Sequence, residues 1–284
     1  MAVAERFFKG LSPSGFHRLR YLEWGARDAA VVICVHGLTR NAHDFDRLAE
    51  RLAARYRVVA VDVVGRGGSD RLTDPAHYTY AQYQADMTAL LARLEVEQVH
   101  WIGTSMGGLI GMFLAAVPGT PIASLLLNDV GPFIPKAALQ RIAAYLPDVR
   151  FSSMQELERH LRTVLAPFGP LRDEDWAHLV HHGHRVLPDG SLALAYDPAI
   201  AENVMKELAD VNLWRFWDRV SCPTLVFRGA ESDLLSAETA IEMQRRGPRA
   251  RVVTFPGVGH APALMSDVQI EIIAGWLASP GPAS

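Results

Sequence analysis

Val99-His100-Trp101-Ile102-Gly103-Thr104-Ser105-Met106-Gly107-Gly108-Leu109-Ile110-Gly111 is the stretch on which the reading of this chain turns. Residues 99–102 are apolar over the length of a strand. Residues 103–107 form a small-residue G-x-S-x-G turn. Residues 108–117 are continuously apolar at helix length and stop at Pro118. A strand that enters a helix through so tight a turn holds its central residue in a strained backbone conformation. Gly103 and Gly107 give room where side chains would meet neighbouring backbone. Ser105 is then raised at a helix N-terminus, where free N–H groups and the helix dipole favour a developing negative charge. Ser105 is therefore the candidate nucleophile.

Working outward, short β-branched runs recur at residues 31–35, 58–61, 122–127, 224–227 and 251–255. Runs apolar on both faces belong to a parallel sheet covered by helices on both sides. The stretches between them have helical spacing. Phe45, Leu48, Ala49 and Leu52 recur at three and four residues, as do Tyr83, Met87, Leu90, Leu91 and Leu94. The alternation predicts a mostly parallel, doubly wound α/β sheet with right-handed crossovers. Residues 16–24 alternate imperfectly between apolar and polar, as an antiparallel start to that sheet would.

Residues 132–217 break the pattern. They contain helical stretches at 136–145, 153–165, 173–182 and 199–208, separated by Pro147, Pro167, Pro170, Pro188 and Pro198, and no convincing buried strand. The expected organisation is a core of residues 1–131 and 218–284, with a helical cap at 132–217 inserted after the strand ending near Leu127. The cap's aromatic residues, among them Tyr145, Phe151, Phe168, Trp176, Tyr196, Trp214, Phe216 and Trp217, are candidates for lining an apolar groove.

A serine hydroxyl needs a base within hydrogen-bond reach and a group that orients the base. His260 in Val258-Gly259-His260-Ala261-Pro262 follows the last strand at its carboxyl end, where sites in open parallel sheets form. Asp233, after the run 224–227, is the favoured acid. Asp129, after the run 122–127, is the alternative, and either preserves the order serine, acid, histidine. His36-Gly37-Leu38 follows the run 31–35. The backbone N–H groups of Leu38 and Met106 are the expected oxyanion donors, with His36 as a loop brace.

Composition narrows the remaining classes. Of the 284 residues, 49% are hydrophobic and 21% charged, as in ordinary globular proteins rather than disordered ones. The net charge of −3 offers no basic field for nucleic acid. No apolar run reaches the ~20 residues of a membrane span. Cys34 and Cys222 are the only cysteines; with no apolar leader-like segment in the first residues, the expected setting is cytoplasmic and reducing. Gly65-Arg66-Gly67-Gly68-Ser69-Asp70 lacks the third glycine of a dinucleotide fingerprint, and no cofactor is expected. His181, His182 and His184 do not share one helical face, and no metal is expected from them.

Four motifs in order, His36-Gly37-Leu38, Asp62-Val63-Val64-Gly65-Arg66-Gly67-Gly68-Ser69, Gly103 to Gly107 and Val258-Gly259-His260, make the chain resemble the α/β-hydrolase-fold serine hydrolases over nearly its whole length. In that family the second motif is a structural turn. The resemblance implies a capped, esterase- or lipase-like enzyme acting on a small-molecule or polymeric ester. Serine at the nucleophile position sets the chain apart from haloalkane dehalogenases and the related epoxide hydrolases, which use aspartate, and from dienelactone hydrolases, which use cysteine. Carbon–carbon bond hydrolases and cofactor-free perhydrolases share the same triad and stay open as alternatives, as does a ligand-binding protein on this fold.

Overall fold

A computed structural model describes residues 3–146, 148–206 and 209–281. Pro147 and the last two residues of the helical stretch expected at 199–208 lie outside the described residues. Eight strands make the main sheet: β1 (Ala4–Ser12), β2 (Gly15–Trp24), β3 (Val31–Val35), β4 (Arg57–Val61), β5 (Val99–Thr104), β6 (Ile122–Asn128), β7 (Thr224–Gly229) and β8 (Arg251–Phe255). Their order is β1-β2-β4-β3-β5-β6-β7-β8. β1 and β2 form an antiparallel hairpin that joins β4, and all remaining pairings are parallel.

The apolar strands divide their side chains between two layers. Val31, Ile33 and Val35 enter one core cluster, whereas Val32 and Cys34 enter the other. Val59 and Val61 part from Val58 and Ala60 in the same way. Both faces are covered, which is why the strands are apolar without alternation. One face is packed by α2 (Tyr80–Leu94) and α3 (Met106–Ala115), and the other by α1 (Asp46–Leu52) and the C-terminal helix Asp267–Ala278. In β2 the alternation holds from Phe16, which is exposed, through His17, Leu19 and Tyr21, which are buried, and it ends where Leu22, Glu23 and Trp24 are all buried.

Between β6 and β7 the chain forms α4 (Lys136–Ala144), α5 (Met154–Val164), α6 (Asp173–His182), α7 (Ala201–Lys206) and α8 (Trp214–Trp217). It also contains short strands of two or three residues, which pair only with one another. Such pieces are too short to show a period in the sequence. Phe151, Leu157, Leu161, Trp176, Leu179 and Leu192 give this segment a small core of its own.

The Asp62 turn fixes the loops beside the strand ends. Oδ1 of Asp62 accepts from the Ala42 N–H at 2.7 Å, and Oδ2 accepts from Gly68 N–H at 2.8 Å and Arg20 Nε at 2.6 Å. A Cβ on Gly67 would lie 2.3 Å from the Asp62 carboxylate, so only glycine fits against it. This interaction ties the loop after β4 to the loop after β3, which carries Leu38.

Candidate active site

Ser105 sits between β5 and α3 with φ 50° and ψ −113°, a strained conformation for a residue with a side chain. The neighbouring glycines are required by close backbone approach rather than by their own dihedral angles. A Cβ on Gly103 would meet the Gly107 carbonyl at 2.3 Å, and one on Gly107 would meet the Val35 carbonyl oxygen at 2.0 Å. α3 is thereby pressed against the ends of β3 and β5.

His260 follows β8 and reaches the serine: Nε2 lies 3.0 Å from Ser105 Oγ. Its Nδ1 lies 2.7 Å from Oδ2 of Asp129, not of Asp233. Asp129 is fully buried at the end of β6. Its Oδ1 accepts from the Gly229 N–H at 2.8 Å, and its Oδ2 also accepts from Ser232 Oγ at 2.5 Å. A buried carboxylate with this many donors keeps one orientation.

The structure therefore brings Asp129, the alternative acid, to His260 and does not bring the favoured Asp233 there. The Asp233 side chain is 46% exposed and forms a bidentate pair with Arg141 of α4, with Arg141 Nη2 to Oδ1 at 2.8 Å. Burial alone raises the Asp233 carboxyl; the Arg141 guanidinium outweighs it and holds the group below the usual carboxylate range. Asp233 ties the inserted segment to the loop after β7. Ser232, next to it, is the residue that sequence reasoning missed: it donates to Asp129 and accepts from the Leu234 and Leu235 amides.

Leu38 and Met106 flank Ser105 at the mouth of the same cavity. Among the described residues, neither amide donates to another protein group, so both are available to an oxyanion. His36 braces their loop. Its Nε2 accepts from the Val63 N–H at 3.0 Å, and its Nδ1 donates to the Gly37 carbonyl at 2.6 Å. Full burial pushes its pKa down to about 4. Arg66 holds the other side, donating through Nε to the Leu38 carbonyl at 2.9 Å.

The cavity at Ser105 measures about 410 Å³. Its walls are Tyr80, Tyr83, Leu109 and Phe113 from α2 and α3, and Ile134, Leu139, Ile142, Ile200 and Leu213 from the inserted segment. Tyr78, Thr79 and Asn203 add neutral polar groups, and among the described residues no charged side chain lines it. The aromatic residues expected to line a groove from the cap are not among its walls. Phe151 and Trp176 pack in the segment's own core, and Trp217 is fully buried. The aromatic lining comes from the core helices instead.

A model of the α/β hydrolase fold family matches residues 30–265. The chain belongs to the α/β-hydrolase family. This hydrolase is 45% identical to a 3-hydroxybutyrate-oligomer hydrolase of Cupriavidus necator, over 94% of each chain. It is 29% identical to an esterase of Mycobacterium tuberculosis, over 90% of this chain and 85% of the relative. A solved structure of a putative hydrolase from Rickettsia typhi superposes with a TM-score of 0.91 at 34% identity, covering 98% of this chain and 99% of the other. The hydrolase acts on carboxylic esters, and among its described residues no helix is long and apolar enough to cross a membrane.

Two outcomes follow from this geometry. Asp129→Asn should lower kcat by about 10³–10⁴-fold, because the amide no longer fixes the His260 tautomer, while Asp233→Asn should stay within a few-fold of wild type. Steady-state kinetics on a p-nitrophenyl ester decides, and the reverse ranking would restore Asp233. Unfolding should also depend on His36. Its imidazole is buried neutral, so the unfolded chain binds the extra proton as pH falls below 6.5. Stability is full above that pH and declines by roughly 3 kcal/mol towards pH 4, through the shift of His36 down to about 4. Urea unfolding across that range should give a shallower pH slope for His36→Asn; an unchanged slope contradicts the assignment.

Proposed function

We propose that this enzyme hydrolyses short oligomers of 3-hydroxybutyrate, or esters closely like them, through an acyl-enzyme on Ser105. The observation that carries the reading is the continuous Asp129–His260–Ser105 hydrogen-bonded chain opening on a neutral cavity of about 410 Å³. That volume lies in the ~300–1,000 Å³ range of small-molecule pockets and accommodates more than one hydroxyacyl unit.

Ser105 Oγ attacks the ester carbonyl while His260 Nε2 takes its proton. The imidazolium that forms is stabilised by the Asp129 carboxylate at Nδ1. The oxyanion is held by the Leu38 and Met106 amides, and the peptide of Leu38 is kept in place by Arg66. His260 then returns the proton to the leaving alkoxide oxygen, which departs as the hydroxyl end of the released fragment. Water attacks the acyl-enzyme with His260 as base, and Ser105 is regenerated.

The lining supports an orientation for the substrate. The described walls carry no cationic side chain, and against them a free carboxylate would lose its hydration without compensation. The hydroxyl-terminated acyl part belongs inside, where Tyr78, Thr79 and Asn203 offer neutral polar groups. The carboxylate end of the oligomer belongs towards solvent. The net charge of −3 and the buried, unpaired Cys34 and Cys222 support a cytoplasmic setting with no nucleic-acid partner.

The wild-type enzyme should release 3-hydroxybutyrate from its dimer and trimer, and Ser105→Ala should lose at least about 10⁴-fold of that rate. Product release followed by chromatography is the measurement. Turnover of simple esters without turnover of the dimer or trimer would reject the substrate, and undiminished activity in Ser105→Ala would reject the mechanism.

A further inference from the structure

Away from the catalytic cavity, imidazoles gather where α6 of the inserted segment meets the start of α1. His178 and His182 are four residues apart on α6, and so share one helical face. His43 and Asp46 are three residues apart in the turn that leads from the Leu38 loop into α1. The two pairs face each other. His43 Nδ1 is 2.9 Å from Asp46 Oδ2, and His178 Nε2 is 3.6 Å from the same oxygen. The His43 and His182 rings stack with centroids 3.7 Å apart. One ligand atom from each of His43, Asp46 and His182 can be chosen so that all lie within 4.8 Å of one another.

Two observations mark this cluster as more than a packed seam. Asp46 Oδ1 is buried and has no hydrogen-bond partner. Among the described residues, the ion-pair partners of Asp46 are His43 and His178 alone, with no arginine or lysine. A half-buried carboxylate left with an unsatisfied oxygen, with the imidazoles of His43 and His182 beside it, has the donor set of a cation site.

We propose that His43, Asp46 and His182 bind one borderline divalent cation, zinc or a metal of similar chemistry. Nitrogen and carboxylate donors suit zinc, cobalt or nickel rather than magnesium or calcium. Zinc ligands sit about 2.0–2.2 Å from the metal. Their spacing in a tetrahedron is then shorter than the widest separation here, and rotation about the soft χ2 of the imidazoles closes the difference. The bound ion clips the inserted segment to the core. It acts beside contacts already bridging that seam: Asn41 Nδ2 to the His182 carbonyl at 2.8 Å, His178 Nε2 to the His43 carbonyl at 2.8 Å, and Arg47 to Asp175 at 2.7 Å. The contribution is to stability and to the placement of the segment over the cavity, independent of which ester is cleaved. The sequence conceals the site because His181 and His184 draw the eye from the pair at 178 and 182.

The test is cobalt and zinc titration of the chelator-treated full chain. One equivalent of Co²⁺ should give visible absorption bands of a low-coordinate site. Zn²⁺ at ~100 times its Kd should raise Tm by about 5 °C or more, and Mg²⁺ should do neither. His182→Gln and Asp46→Asn, each folded by circular dichroism, should weaken Zn²⁺ binding at least about 10-fold, while His260→Asn should leave it intact. If Asp46→Asn fails to fold, His182→Gln and His43→Gln carry the test. Absence of stoichiometric Co²⁺ bands would overturn the proposal. So would binding that persists in His182→Gln and vanishes in His260→Asn, which would place the ion at the catalytic histidine.

Discussion

The hydrogen bond between Asp129 and His260 is the contact on which the site depends. It joins the ends of three neighbouring strands. Asp129 terminates β6, Gly229 and Ser232 of the β7 turn donate to the carboxylate, and His260 descends from the loop after β8. A buried charge is tolerable only when it is fully paired. Here the demand to satisfy one carboxylate fixes the relative positions of three loops. Once these are fixed, His260 has one direction left for its other nitrogen, towards Ser105.

The opposite wall obeys a steric rather than an electrostatic constraint. Gly107 touches the Val35 carbonyl and Gly103 touches Gly107, so α3 starts at the closest approach that its backbone allows. The strained Ser105 is the consequence, and the amide of Met106, the first residue of α3, is left without a carbonyl of a preceding helical turn to donate to. The Leu38 loop is then matched to that position by His36, Arg66 and the Asp62 turn. Charge fixes Asp129 and His260, and contact fixes Ser105 and the amides of Leu38 and Met106.

Much of this was legible because it is local. The strand, the turn and the helix around Ser105 are one continuous stretch, and the apolar runs at 31–35 and 58–61 report burial on both faces directly. His260 was legible from its place after the last strand. The acid was not, because the choice depends on register and loop direction. β5 pairs Thr104 with Asn128 of β6, which sets the next residues, Ser105 and Asp129, side by side. β7 pairs Phe227 with the same Asn128, and its turn then carries Asp233 outward to Arg141. Neither fact is written in the spacing of Asp129 or Asp233. The cavity walls were illegible for a similar reason: aromatic residues in the inserted segment satisfy that segment's own core, and aliphatic ones face the serine.

The central claim is that Asp129, and no other carboxylate, holds the His260 Nδ1 proton. Proton NMR of the enzyme with ¹⁵N-labelled histidine observes that proton directly. The account predicts a strongly deshielded, nitrogen-coupled resonance in the wild type that persists in Asp233→Asn and is lost in Asp129→Asn. A resonance that survives in Asp129→Asn and disappears in Asp233→Asn would contradict it.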